Sequence, residues 1–170
     1  AWFSAFICFF SLCLVSSSIY LINDSIDIES DKKHPFKKNR PIASGRISIK
    51  KAIYSSIVLF LSSLFLSYFV KSILVWLIIS YFLIQIVYCL RLKKEPILDI
   101  FCISSGFLIR AIAGVKASSL DFSPWFLLSI GLLALFLAVE KRKAELKNEI
   151  ILKIKTRSSL DRYSLSLLER

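Results

Sequence analysis

Asn23, Asp24, Asp27 and Asp31 close an apolar stretch, and the basic run Lys32-Lys33-His34-Pro35-Phe36-Lys37-Lys38-Asn39-Arg40-Pro41 follows at once. With Glu29, four carboxylates are crowded at the edge of that stretch, and they repel one another unless something positive sits between them. If one helix continues through the motif, Asn23, Asp27 and Asp31 recur every fourth residue with Asp24 beside them. They then share a face, with side chains about 5–6 Å apart. Hard carboxylate oxygens one turn apart, followed by a cluster of cations, suit a Mg2+ ion that carries a diphosphate. A helix end whose acids simply pair with the next lysines is the plainer alternative. The four-residue spacing and the apolar boundary favour the metal site, so the motif is read as the active site of a membrane enzyme.

The elements that must hold this motif are apolar helices. The 170-residue chain is 56% hydrophobic with a mean hydropathy of +0.67, too much apolar surface for a water-soluble globule of this size. Its apolar residues come in blocks of a length that crosses a hydrocarbon core of about 30 Å. The predicted fold is all-α: one polytopic transmembrane bundle over 1–170 with no separate soluble domain. Its helices are placed at about 2–22, 52–70, 72–90, 97–115 and 124–140. Ser48 is an expected N-cap for the second helix. Pro96 suits the first turn of the fourth, and Ser123-Pro124-Trp125 suits the start of the fifth.

A net charge of +11 would suggest nucleic acid in a soluble protein, but its placement argues against that partner here. Lysine and arginine crowd into the loop at 23–51, the turn at 91–94 and the segment after 140. The two other connections carry only Lys71 and Lys116. This alternation places the three basic regions on the cytoplasmic side of an inner or plasma membrane. Every motif with chemistry in it falls on that face. Asp99 is expected at the site mouth. Arg110, deep in the fourth helix and about 16 Å from Asp99 by helical rise, needs a polar partner and is read as structural. Cys8, Cys13, Cys89 and Cys102 lack ligand-like spacing and read as small apolar residues. His34 is the one histidine and reads as a local hydrogen-bonder.

The string NDxxDxxxD from Asn23 to Asp31, with HPxKxxRPIASG from His34 to Gly45, resembles the first aspartate-rich motif of the UbiA superfamily of intramembrane prenyltransferases. Tyr88-Cys89-Leu90-Arg91-Leu92-Lys93 and Glu140-Lys141-Arg142-Lys143-Ala144-Glu145-Leu146 resemble its phosphoribosyl-transferring branch. The resemblance runs through the whole chain and matches the second to sixth of nine expected helices, so the chain reads as cut at both ends. It implies that Asn23, Asp24, Asp27 and Asp31 bind Mg2+ and a diphosphate. It further implies that Arg40, Tyr88 and Lys93 bind phosphate. Family members usually carry a second DxxxD pair after the sixth helix, where this chain has Lys141, Arg142 and Glu145.

That departure has a chemical reason of its own. Phosphoribosyl diphosphate carries a 5-phosphate besides its diphosphate, and a Lys-Arg pair facing the acidic motif would supply the extra cations. The resemblance therefore implies Mg2+-dependent transfer of 5-phosphoribose from phosphoribosyl diphosphate to a polyprenyl phosphate in the bilayer, as a step in cell-envelope synthesis. Two alternatives stand beside it: a prenyl transfer onto an aromatic or quinone precursor, and an inactive truncated relative. Polar residues concentrate on one face rather than through the bilayer centre, which disfavours a transporter. Nothing in the sequence speaks to oligomeric state.

Overall fold

A computed structural model describes residues 2–152. Its elements are α1 (Trp2–Ile26), α2 (Ile28–Lys33), α3 (Ile49–Tyr68), α4 (Ser72–Leu90), α5 (Leu98–Ser118) and α6 (Pro124–Leu152), with single 3-10 turns at Lys37–Asn39 and Leu92–Lys94. No strand occurs among the described residues. All helices but α2 are long and apolar enough to cross a membrane. Within the basic segment after 140, Lys153, Lys155, Arg157 and Arg162, with the stretch 163–170, lie outside the described residues.

Small side chains make many of the helix contacts, beside buried larger ones such as Val15, Leu74, Ile78 and Tyr81. Ser11, Ser18, Ser56, Ser63, Ala52, Ala113 and Ala117 are buried, while large residues such as Phe6, Phe65, Trp76 and Leu132 point outward. In hydrocarbon the apolar effect does not drive helices together, so close backbone approach and interhelical hydrogen bonds must do so. Between α1 and α3, Ser18 Oγ and Ser56 Oγ lie 2.9 Å apart, and Ser63 Oγ donates to the Ser11 carbonyl at 2.8 Å. Phe60 stacks on Phe82 between α3 and α4 at 4.0 Å. Helix α1 packs against α3, α4 and α5, and α6 lies along α5. At Gly106 a Cβ would come within 2.9 Å of Gln85 Nε2 and 3.4 Å of Tyr81, so α4 and α5 cross there at close range.

Several local expectations change. Helix α1 runs on to Ile26 and carries Asn23 and Asp24 on its last turn, beyond the boundary at 22. Helix α6 continues through the whole Glu140–Glu149 charged stretch to Leu152. Pro96 does not start α5: Ile97 follows it at φ 70° and ψ −53°, and α5 begins at Leu98. Ser48 does cap α3, accepting from the Lys51 amide at 3.4 Å, and the Ser123 side chain accepts from the Phe126 amide ahead of α6. Arg110 finds its polar partner in Tyr81, whose hydroxyl accepts from Nη2 at 2.5 Å. The guanidinium also sits 5.1 Å from the Tyr81 ring centroid and 5.5 Å from that of Phe107. Cys8, Cys89 and Cys102 are buried, whereas Cys13 is exposed on the outer surface of α1.

Candidate functional site

The helix breaks at Asp27 yet keeps its register. Asp27 takes φ −89° and ψ 7° between α1 and α2. The Asp27 amide still donates to the Asn23 carbonyl at 2.9 Å, and the Asp31 amide to the Asp27 carbonyl at 2.8 Å. The four-residue spacing therefore survives as a shared face, as the sequence pattern requires. The backbone after it folds back over the motif. His34 Nδ1 accepts from the Phe36 and Lys37 amides at 3.2 and 3.3 Å, which turns the chain toward Arg40. Burial, then the nearby Lys37 ammonium, lowers the His34 pKa below its ordinary value and keeps Nδ1 free to accept.

Each acid of the motif has a cation. Arg40 Nη1 donates to Asp24 Oδ1 at 2.7 Å and to Asp31 Oδ2 at 2.9 Å, so one guanidinium nitrogen links the two carboxylates. The Asn23 side chain lies beside the Asp24 carboxylate. Lys93, only 8% exposed, reaches across from the turn after α4 to pair with Asp27. An open cavity of about 380 Å³ lies at this point. Asn23, Asp27, Asp31, Lys37, Arg40, Lys93 and Lys94 line it, with Cys89 and Leu90 on the α4 side. Acids and cations thus alternate around one concave surface at the end of the apolar bundle.

The metal expectation needs adjustment at this geometry. Among the described residues, no three His, Cys, Asp or Glu side chains group closely enough to hold an ion between them. Asp27 and Asp31 line the cavity, while Asp24 stands behind Arg40. The residues lining the cavity offer hard oxygens from Asn23, Asp27, Glu29, Ser30 and Asp31. That set fits Mg2+, which usually takes one or two carboxylates and completes its shell with waters and substrate phosphate rather than a protein cage.

A second polar group forms beside the cavity from residues the sequence places far apart. Arg142 and Asp99 are both fully buried. Arg142 Nε faces Asp99 Oδ2 at 2.5 Å, and Nη2 donates to Asp99 Oδ1 at 2.9 Å and to the Tyr88 hydroxyl at 3.3 Å. Nη1 pairs with Glu145, and the Tyr88 hydroxyl donates to Asp99 Oδ1 at 3.1 Å. Of the site residues read from sequence, Asn23, Asp24, Asp27, Asp31, Arg40 and Lys93 therefore come together at the cavity. Tyr88, Arg142 and Glu145 come together behind it, none of them lining it, and Lys141 is exposed on α6. Asp99 lies inside this buried group rather than at the mouth. Lys37 and Lys94 line the cavity without having been singled out; they sit in basic runs where no single lysine stands apart by spacing.

The UbiA prenyltransferase family profile matches residues 1–146. The chain is 43% identical over 162 residues to a decaprenyl-phosphate phosphoribosyltransferase of Mycolicibacterium smegmatis, covering 95% of this chain and 51% of that protein. It is 38% identical to a protein of the same name from Corynebacterium glutamicum, over 95% of this chain and 49% of that protein. The chain spans about half the length of the curated relatives it matches. The structure superposes on a UbiA homolog from Archaeoglobus fulgidus solved with DMAPP and Mg2+, at a TM-score of 0.81 and 17% identity, over 97% of this chain and 62% of that one.

Proposed function

The chain belongs to the UbiA prenyltransferase family, and from that premise we propose that its site serves transfer of 5-phosphoribose from phosphoribosyl diphosphate to a polyprenyl phosphate. With five apolar helices of spanning length, it is an integral membrane protein. The observation that carries the reading is the cavity where Asp27, Glu29 and Asp31 are gathered with Lys37, Arg40, Lys93 and Lys94 at the end of the bundle. A donor with a diphosphate and a further phosphate brings more negative charge than one divalent ion neutralises, and four cations among three carboxylates leave the lining net positive to meet it. The names of the relatives at 43% and 38% identity support phosphoribose over a prenyl group.

In this reading a lipid phosphate oxygen attacks C1 of the donor, a new C1–O bond forms, and the bond from C1 to the diphosphate oxygen breaks. No general base is required, because the attacking phosphate is already anionic. Asp27 and Asp31, with Asn23, would hold a magnesium ion, which supplies charge neutralisation for the departing diphosphate. Asp24 fixes Arg40 in place, and Arg40 and Lys93 contact phosphate oxygens where charge develops. Tyr88, Arg142 and Glu145 brace the wall behind, and the exposed Lys141 stays outside the set that contacts the donor. The basic face is assigned to the cytoplasm, and the lipid tail to the apolar flank of the helices.

Membranes containing the full-length protein, offered labelled phosphoribosyl diphosphate and prenyl diphosphate in separate reactions, test the assignment. Consumption of the phosphoribosyl donor with labelled lipid product is expected. Consumption of the prenyl donor alone would replace the reading with prenyl transfer.

A further inference from the structure

Ile97 holds a backbone conformation that a β-branched residue avoids. Its φ of 70° and ψ of −53°, with the Leu98 amide donating to the Pro96 carbonyl at 2.8 Å, make a tight three-residue turn of the strained, positive-φ kind. Its side chain is 59% exposed, so burial of the isoleucine does not compensate the strain. Backbone strain of this sort persists only where the surroundings over-determine it. The surroundings here are one turn away. Asp99, two residues on, is buried between Arg142 of α6 and Tyr88 of α4. Its own amide donates to the Glu95 carbonyl at 3.2 Å. Both ends of the segment from Arg91 to Leu98 are thus clamped, one by Tyr88 in the last turn of α4 and the other by Asp99 in the first turn of α5. Lys93 rides on this segment and reaches the cavity from it.

We propose that Asp99 is a positioning residue: its buried pairing with Arg142 and Tyr88 holds the 91–98 turn in its strained form and thereby aims Lys93 into the cavity at Asp27. The inference rests on the proposed reaction only for its catalytic consequence. Its structural half stands on the contacts themselves. A buried ion pair is a poor source of net stability but a strong constraint on geometry, because removing one partner leaves the other charge uncompensated. An apolar residue at 99 would fill space without selecting one orientation of Tyr88 and Arg142.

The test is site-resolved acetylation of lysines in the detergent-solubilised full-length protein, read by mass spectrometry without substrate. D99N should speed labelling of Lys93 about fivefold or more, the factor that follows from losing about 1 kcal/mol of local protection, while the exposed Lys50 reacts at its wild-type rate. In turnover with phosphoribosyl diphosphate, D99N should raise the donor KM about tenfold, as expected for one displaced charged contact, and change kcat far less. Because Asp99 acts through Lys93, D99N should add nothing to the KM of K93M. Wild-type labelling of Lys93 in D99N, or full additivity with K93M, would overturn the proposal. If D99N fails to fold, D99L/R142M keeps the volume apolar and carries the same expectation, and unchanged Lys93 labelling there is equally fatal. Wild-type membranes that consume no phosphoribosyl donor would count against the reaction, and the labelling comparison would still decide the role of Asp99.

Discussion

Asp27 and Lys93 are 66 residues apart and meet across the mouth of one cavity, so each can be removed separately and the effects compared. Asp27→Asn keeps the shape and removes the charge that a divalent ion needs. Turnover should fall by about 10²–10³-fold, the usual loss when one electrostatic contact to a developing charge is removed, with the protein still inserted. Activity of the membrane fraction alongside its folded content checks this, and wild-type turnover would remove Asp27 from the metal site. Arg40→Gln acts differently, since Arg40 links Asp24 and Asp31. It should cost donor affinity first, seen as a raised KM, because both carboxylates lose their shared cation. His34 contributes a pH effect at the same scale. Its lowered pKa means that the fold favours the neutral ring. That contribution is fully present above the ordinary histidine value of about 6.5 and is lost as pH falls through the lower folded value. The protection of the Phe36 and Lys37 amides, taken relative to the unstructured exchange rate at each pH, should therefore fall on acidification below that range, and His34→Ala should remove it at all pH values.

Helices α1 and α3 show how the elements hold together without a hydrophobic driving force. Ser18 and Ser56 share a buried hydrogen bond, and the small side chains let the backbones approach. Ser18→Ala keeps the close packing and should cost about 0.6 kcal/mol, the mean for interhelical hydrogen bonds in membranes. Ser18→Leu should cost several times more, since α3 would have to move away from α1. Reversible unfolding in mixed micelles distinguishes the two, and equal losses would show that the hydrogen bond rather than close approach governs the contact. The same logic applies at Gly106, where any side chain meets Gln85 and Tyr81 on α4.

At the scale of the whole molecule, charge is segregated. The acidic motif, the basic loop, the 91–94 turn and the charged end of α6 all gather at one end of the bundle, and Lys71 and Lys116 lie at the other. There Lys71 donates to the Lys116 carbonyl and to Ser119, closing the end of α5. If the basic end is cytoplasmic, a cysteine placed by S119C should react with a membrane-impermeant thiol reagent applied to intact cells. One placed by S44C should react only after permeabilisation. The reverse pattern would invert the orientation.

Helix number, the shared face of Asn23, Asp27 and Asp31, and the cap at Ser48 were legible in the chain because they follow from local rules: apolar block length, a four-residue period and a side-chain oxygen beside free amides. Family membership was legible too, through the motif from Asn23 to Gly45. The pairings were not. Nothing in residue spacing says that Arg40 bridges Asp24 and Asp31, that Lys93 meets Asp27, or that Arg142 turns inward to Asp99 and Tyr88. The Arg40 contacts need the chain after α2 to fold back over the motif, and the other two depend on how α1, α4, α5 and α6 are rotated about their axes, which packing throughout the bundle sets. Sequence supplied the helices and the chemistry at one end of them. Tertiary packing alone decided which cation faces which carboxylate, because charges distant along the chain become neighbours only once the helices have docked.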